Sequence, residues 1–371
     1  MPGDVLTRIR APLLESTAAA IDIPLSQPLR WLLDLAGEPN RSRVVAMQAY
    51  SGDAVCLRPD FTIPIVLAHV ETAQKTGRYR CEGPAFGFLP QDPDQPEEFL
   101  QIAFEAIGDC SGVQGDVEAV QLAWRCAVAG HRTDLRITMG DIGLFREFVD
   151  GMGLAASHAQ RLKRAICHPG ALVAELADAP IDPAGSWRNS RTRALIASLP
   201  EADACAVLEE IWALAAVKVD GGRSAHDIFA RLASDRAEAE VGLSHGQSDL
   251  LRRLATLSSD PRRALDCIGA LAREGQIDLD ASLERWSTRL DGLVAAGAPE
   301  DRMRLAIGFG RGQDFDDGFL FEIRSDALGD DAPIAWGGRH DGLPAHLGAS
   351  AATGAVGCAI RPGRAWAGFP T

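Results

Sequence analysis

No apolar run in the 371 residues reaches the ~18–20 positions that a membrane-spanning helix needs. The first residues, Met1-Pro2-Gly3-Asp4, lack a basic stretch followed by an apolar core, so no secretory signal is expected. Basic charge is short as well: Lys and Arg number 37 against 51 Asp and Glu, a net charge of −14. Such a chain repels a phosphate backbone unless its cations gather in one patch, which argues against nucleic acid as the main partner. The eight cysteines form no Cys-x-x-Cys and most sit in apolar surroundings, as buried thiols of a reducing cytoplasm would. No His-Glu-x-x-His and no Gly-x-x-x-x-Gly-Lys-Ser/Thr occurs, and Gly308, Gly310 and Gly312 miss the spacing of a dinucleotide fingerprint. Neither a metal nor a cofactor is expected.

What is present is a globular composition, 46% hydrophobic and 24% charged, with length for roughly two to three domains. Three zones differ in texture. Residues 1–141 mix short helices with strands: Val5–Ala20 reads as a helix, and Val44–Tyr50 with Ala54–Leu57 as a hairpin about Ser51-Gly52-Asp53. Arg78–Glu82 and Phe99–Ile107 read as a second strand pair, with Pro84–Glu98 an exposed loop rich in Pro, Gly, Asp and Gln. Residues 142–262 carry helical spacing, as in Ala204–Val217 and Asp249–Leu257, and read as a helical insertion cut into short helices by Pro180, Pro183 and Pro200. Residues 263–371 open with a helix over Ala264–Ala295, followed by strands at Leu305–Gly308 and Gly318–Ile323 and a glycine-rich end.

Two short segments carry chemistry. In Phe99–Ile107 read as a strand, Leu100, Ile102, Phe104 and Ala106 share one face while Gln101, Ala103 and Glu105 share the other. A small alanine between an amide and a carboxylate leaves room for a polar group; a helix would also bring positions 101 and 105 together, and a half-exposed strand would simply solvate them. In Cys56-Leu-Arg-Pro-Asp-Phe-Thr-Ile-Pro64, two prolines stiffen a turn from which Asp60 and Thr62 offer acceptors suited to an ammonium. Asp60 equally suits a helix N-cap.

These segments belong to a longer resemblance. Leu57-Arg-Pro-Asp-Phe-Thr62 resembles the Leu-Arg-Pro-Glu-Gly-Thr segment of histidyl-tRNA synthetases, and Tyr79–Phe86 with Glu98–Gln101 resembles their motif 2. Arg311-Gly-Gln-Asp-Phe-Asp-Asp-Gly-Phe-Leu-Phe-Glu322 is similar, without gaps, to their Arg-Gly-Leu-Asp-Tyr-Tyr-Thr-Gly-x-x-Phe-Glu signature. Trp336-Gly-Gly-Arg-His-Asp-Gly-Leu343 resembles Gly-Gly-Arg-Tyr-Asp-Gly-Leu, Gly354–Arg364 resembles motif 3, and Ile23-Pro24 stands where dimer-forming motif 1 would lie. The resemblance implies an α+β fold, a class II aminoacyl-tRNA synthetase-like antiparallel sheet flanked by helices.

The departures redirect the function. Phe86-Gly-Phe-Leu89 replaces the motif 2 Phe-Arg-x-Glu, so Gly87 stands where an arginine would hold the ATP α-phosphate. Losing such a donor costs on the order of 10²–10³ in rate. Motif 3 ends as Arg361-Pro-Gly-Arg364, with Arg364 in the synthetase position, and the chain ends soon after it, so no anticodon-binding domain is expected. A synthetase-like core so altered resembles the ATP phosphoribosyltransferase regulatory subunit family, which Leu35-Ala-Gly-Glu38 and Leu57–Pro64 also resemble. The resemblance implies a non-catalytic cytoplasmic subunit without catalytic residues, a homodimer within a hetero-oligomer with the short-form catalytic subunit, L-histidine as effector, and no tRNA or membrane partner. It carries the histidine contacts to Asp60, Thr62, Gln101, Glu105 and Arg311, with Asp316 and His340 as further pocket residues that replace tyrosines. An active histidyl-tRNA synthetase-like enzyme and an assembly module with a vestigial pocket are the alternatives.

Overall fold

A long β-hairpin organises the chain. The structure, a computed structural model, describes residues 1–36, 44–49, 52–72, 74–89, 92–108, 110, 112–167, 172, 175–176, 195–196, 198–214, 224–226, 228–230, 243–309, 315–329, 332–349 and 353–368. Strands β5 (Gly77–Leu89) and β6 (Asp92–Ile107) pair antiparallel from Gly77 opposite Ile107 outward. Residues 84–89 and 92–98, expected to be loop, are therefore the outer parts of the two strands. Their prolines are tolerated for a positional reason. Strand β1 (Ala19–Ala20) meets β5 only at Tyr79 and Arg80, and β12 (Ala355–Ile360) meets β6 only from Ile102 to Ile107. Among the described residues the outer part of the ribbon thus has no further strand beside it, Arg58 meeting the β5 edge at Pro84 and Phe86, so a missing outward N–H costs no ladder bond.

The hairpin enters a nine-stranded sheet completed by β7 (Leu135–Asp141), β8 (Ser258–Ser259), β9 (Met303–Ala306), β10 (Phe319–Ser325) and β11 (Ala335–Arg339). The strand order is β1-β5-β6-β12-β11-β10-β7-β9-β8. Strands from the two ends of the chain are interleaved: β12 lies beside β6, and β10 beside β7. The sheet is mixed rather than wholly antiparallel, because β1 with β5 and β7 with β9 pair parallel. A second sheet, β2 (Ser26–Pro28), β4 (Ala54–Leu57) and β3 (Ala46–Gln48), contains the expected hairpin. Gly52 turns it with φ +91°, a conformation that favours glycine.

Helices cover both faces. Helix α1 ends at Glu15 (Gly3–Glu15), short of the expected Ala20, because the chain goes on into β1. Helix α1 and α4 (Val113–Val128) bury Ile9, Leu13, Val120 and Ala123 in one cluster with Ile102 and Phe104, the apolar face of β6. The opposite face meets α2 (Leu29–Ala36) and α3 (Thr62–Glu71), whose Ile65 joins Phe61, Cys81 and Ala103. In the helical zone, α5 (Ile142–Gly151), α6 (Ala156–Ala165) and α8 (His245–Ala255) add side chains to the main core. Helix α7 (Glu201–Leu214) instead packs in a separate cluster with Ile196 and Ala225. Pro180, Pro183 and Val217 lie outside the described residues.

The single helix expected over Ala264–Ala295 is two, α9 (Pro261–Glu274) and α10 (Asp280–Ala295). Gly275 caps the first, and Gln276 takes φ +55° so that Ile277 can turn inward. Among the described residues no helix is long and apolar enough to cross a membrane.

Candidate functional site

Small residues on adjacent strands make a cradle. Glu105 pairs in register with Gly357 and Ala103 with Ala359, and across β12 those two meet Gly338 and Trp336. Antiparallel partners point to the same face of a sheet. Gln101, Ala103 and Glu105 therefore share a face with Gly357, Ala359, Gly338 and Trp336. A cavity of about 310 Å³, counted to its open mouth, stands on this face and is lined among others by Asp60, Thr62, Phe315, Asp316 and His340. Gly357 lets the Glu105 carboxylate lie over the strand, since a Cβ there would fall inside it.

The polar groups of this face are almost wholly enclosed. Gln101 is fully buried, and among the described residues neither its amide nitrogen nor its amide oxygen has a hydrogen-bond partner. An unmet buried amide costs on the order of 1–3 kcal/mol for each group left unsatisfied, so such an amide points to a missing partner. Glu105 is buried too, and its Oε2 lies 3.0 Å from His340 Nε2. The approach is off the line of a hydrogen bond, so the two atoms attract as charges without saturating each other. Burial works against a charged His340 ring. Glu105, Asp316 and Asp317 together outweigh it, Glu105 most of all, and the imidazole is held above its usual pKa. The Phe315 ring meets the imidazole edge-on, centroids 6.2 Å apart.

Asp60 and Thr62 enter from the start of α3. The Thr62 N–H donates to Asp60 Oδ1 at 3.1 Å, so Asp60 closes the first turn as well as lining the cavity. Arg58, next to them in sequence, is a structural clip: its guanidinium donates to the carbonyls of Ile23 and Pro84 and stacks on Phe61. Of the residues expected at the site, Asp60, Thr62, Asp316 and His340 line the cavity, and Gln101 and Glu105 lie on the strand beneath it. Arg311 and Asp314 lie outside the described residues.

A buried chain of charges, not foreseen from the sequence, fixes the strap that carries His340. Asp141 accepts from Trp286 Nε1 at 2.8 Å and lies 3.8 Å from Arg289. Arg289 pairs with Asp116 at 2.7 Å, and Asp116 accepts from Arg339 at 2.9 Å. Arg339 forks onto Asp341 at 2.8 and 3.0 Å. Asp317 then takes the N–H groups of Asp341 and Gly342, at 3.0 and 2.6 Å. Burial pushes Asp141 up, partly offset by Arg289. Burial also opposes the charge on Arg339, but Asp341 and Asp116 overcome it and hold the guanidinium firmly protonated.

The motif 2 hairpin lacks its cation. Gly87 sits opposite Glu97 on the ribbon, and no arginine replaces it on that pair. Arg364, in the synthetase position of motif 3, donates to the Pro333 carbonyl at 3.3 Å. It is Arg361 whose guanidinium lies on the Phe99 ring, 3.4 Å from its centroid, with Trp336 at 5.7 Å. Two residues, Pro362 and Gly363, separate the two arginines. Among the described residues no group of three His, Cys, Asp or Glu side chains is placed to hold a metal.

The comparisons bear on family and fold. A sequence profile of the histidyl-tRNA synthetase family matches residues 19–203. The ATP phosphoribosyltransferase regulatory subunit of Sinorhizobium fredii is 32% identical over 348 residues, 92% of this chain and 90% of that one. The protein of the same name from Mesorhizobium japonicum is 30% identical over 343 residues, 92% and 91% of the two chains. Among solved structures, an ATP phosphoribosyltransferase regulatory subunit/histidyl-tRNA synthetase from Bacillus halodurans superposes with TM-score 0.67 at 16% identity, covering 99% of this chain and 79% of that one. A histidyl-tRNA synthetase from Nostoc sp. gives TM-score 0.60 at 14% identity, covering 97% and 69%. Synthetase-like in fold and related along nine-tenths of its length to regulatory subunits, the chain belongs to the ATP phosphoribosyltransferase regulatory subunit family, a non-catalytic component of histidine biosynthesis.

Proposed function

We propose that the chain assembles as a homodimer within a hetero-oligomer with the short-form ATP phosphoribosyltransferase catalytic subunit, in the cytoplasm and without tRNA, and that L-histidine bound in the cavity lowers the activity of the complex. In this reading residues 1–141 and 263–371 are the two parts of one core, and residues 142–262 are an insertion. The observation that carries the effector reading is Gln101: a fully buried amide with both polar atoms unmet among the described residues, on the strand face it shares with Glu105. Asp60, Thr62 and Gln101 supply acceptors for an α-ammonium, and Glu105 an acceptor for an imidazole N–H. Arg311 would take the carboxylate. A ligand that favours one state of the complex shifts it by its differential affinity, and a coupling of about 1–3 kcal/mol gives ~5–150-fold effects.

One observation favours a second reading. His340 already pairs with Glu105, as it would in an assembly module whose pocket has closed on itself. The test mixes the chain with the short catalytic subunit and follows phosphoribosyl-ATP formation with and without L-histidine. Activity that rises on mixing and falls with histidine supports the effector reading. A rise without a histidine response supports the assembly module, and no rise removes the partner assignment.

A further inference from the structure

Glu105 is a buried carboxylate that the fold already supplies with a cation. That cation is an imidazole, the same group the proposed effector carries. We propose that His340 determines the specificity of the cavity: its ring keeps the proton that a neutral imidazole ligand needs to pair with Glu105, and yields it when such a ligand arrives. This rests on the effector reading of the cavity and deepens it.

The argument is one of charge balance. A carboxylate so enclosed needs a compensating cation, because an unpaired buried charge costs several kcal/mol. His340 Nε2, 3.0 Å from Glu105 Oε2, provides it. The other ionisable groups around the ring are Asp316 and Asp317 ahead of β10, Asp60 across the cavity, and Arg339 and Asp341 on either side in the chain, while the Cys358 thiol lies on the opposite face of β12 with Phe104. Burial keeps the Cys358 thiol well above its usual range, and Arg339 is committed to Asp116 and Asp341. Among the described groups facing the cavity, His340 is thus the cation that can give up a proton, its ring held above the usual imidazole range by Glu105, Asp316 and Asp317.

A free imidazole ligand is mostly neutral above pH ~7. Two imidazolium rings on one buried carboxylate repel, so the complex keeps a single proton between them. The step balances: one N–H bond breaks at His340, one forms on the ligand ring, and His340 is left neutral. Because donor and acceptor are the same chemical group, the transfer costs little. A ligand with a neutral side chain cannot take the proton and meets a Glu105 whose charge His340 already balances. A ligand with a fixed side-chain cation, such as L-arginine, must drive the proton out to solvent.

Proton counting by isothermal titration calorimetry tests this, using the full chain in complex with the catalytic subunit and buffers of different ionisation enthalpy. L-histidine at pH 8 is expected to bind the unaltered chain with close to no net proton exchange. His340→Asn should take up about one proton per site, and its affinity should fall about tenfold per pH unit above ~7 where the unaltered chain stays nearly flat. His340→Gln gives a second route should the asparagine variant fold poorly. Equal proton counts in the unaltered chain and both variants overturn the inference but leave the effector reading standing. Absence of L-histidine binding in all three removes the effector reading, and this inference with it.

Discussion

Glu105 and Gly357 face each other across the β6–β12 ladder, and the carboxylate occupies the space that a side chain at 357 would fill. The buried acid and the bare strand are therefore one feature built from two distant parts of the sequence. Gly357→Ala should destabilise the fold by about 1–3 kcal/mol, the usual scale of overpacking in a filled interior. The denaturant midpoint would move with little change in slope. The same substitution in a Glu105→Ala background should cost measurably less, since the collision is gone. Equal costs in both backgrounds would show that some other contact of Gly357 is the constraint.

The His340–Glu105 pair sets a pH dependence of stability. The folded imidazole is held above its unfolded pKa, burial notwithstanding, by the Glu105 carboxylate with Asp316 and Asp317. The folded state therefore keeps a proton that the unfolded chain gives up, and this contribution is full below about pH 6.5 and lost as pH rises through the raised value. His69, which burial holds below its usual value, acts in the opposite sense, and its effect appears on acidification. Chemical denaturation between pH 6.5 and 8.5 should show stability falling more steeply in the unaltered chain than in Glu105→Gln. Parallel curves would remove the pair as the source.

Much of this face was legible because strand periodicity is local. Alternation over Phe99–Ile107 puts Gln101 and Glu105 on one side whatever the rest of the chain does, and the Ser51-Gly52-Asp53 turn needs no distant partner. The outer hairpin was not legible, because Pro84 and Pro96 read as breakers until it is known that, among the described residues, no further strand lies beside them. The break between α9 and α10 was hidden by helical periodicity that resumes after Gln276, whose φ of +55° no pattern announces. The charge chain was invisible for another reason. Its members lie 173 and 223 residues apart, and nothing in an isolated Asp116, Arg289 or Arg339 marks them as partners.

That charge chain yields the sharpest structural prediction. Asp116 is 1% exposed and is shared by two arginines, one on α10 and one at the end of β11. Asp116→Asn keeps the shape but leaves two buried guanidinium groups facing an amide. Breaking a buried pair in this way costs about 3–5 kcal/mol, whereas exposed pairs contribute little. Loss of the exposed Arg262–Glu300 pair should leave stability nearly unchanged and serves as the control. The damage should also be directional. Arg339 released from Asp116 no longer braces the strap, where the His340 amide donates to Ala355 at 2.9 Å and the Asp341 and Gly342 amides donate to Asp317. Hydrogen exchange at those three amides should quicken beyond what the global loss of stability accounts for, while amides in the β5–β6 ladder follow the global change alone. Uniform quickening would make the chain of charges a general brace of the fold rather than a support for His340.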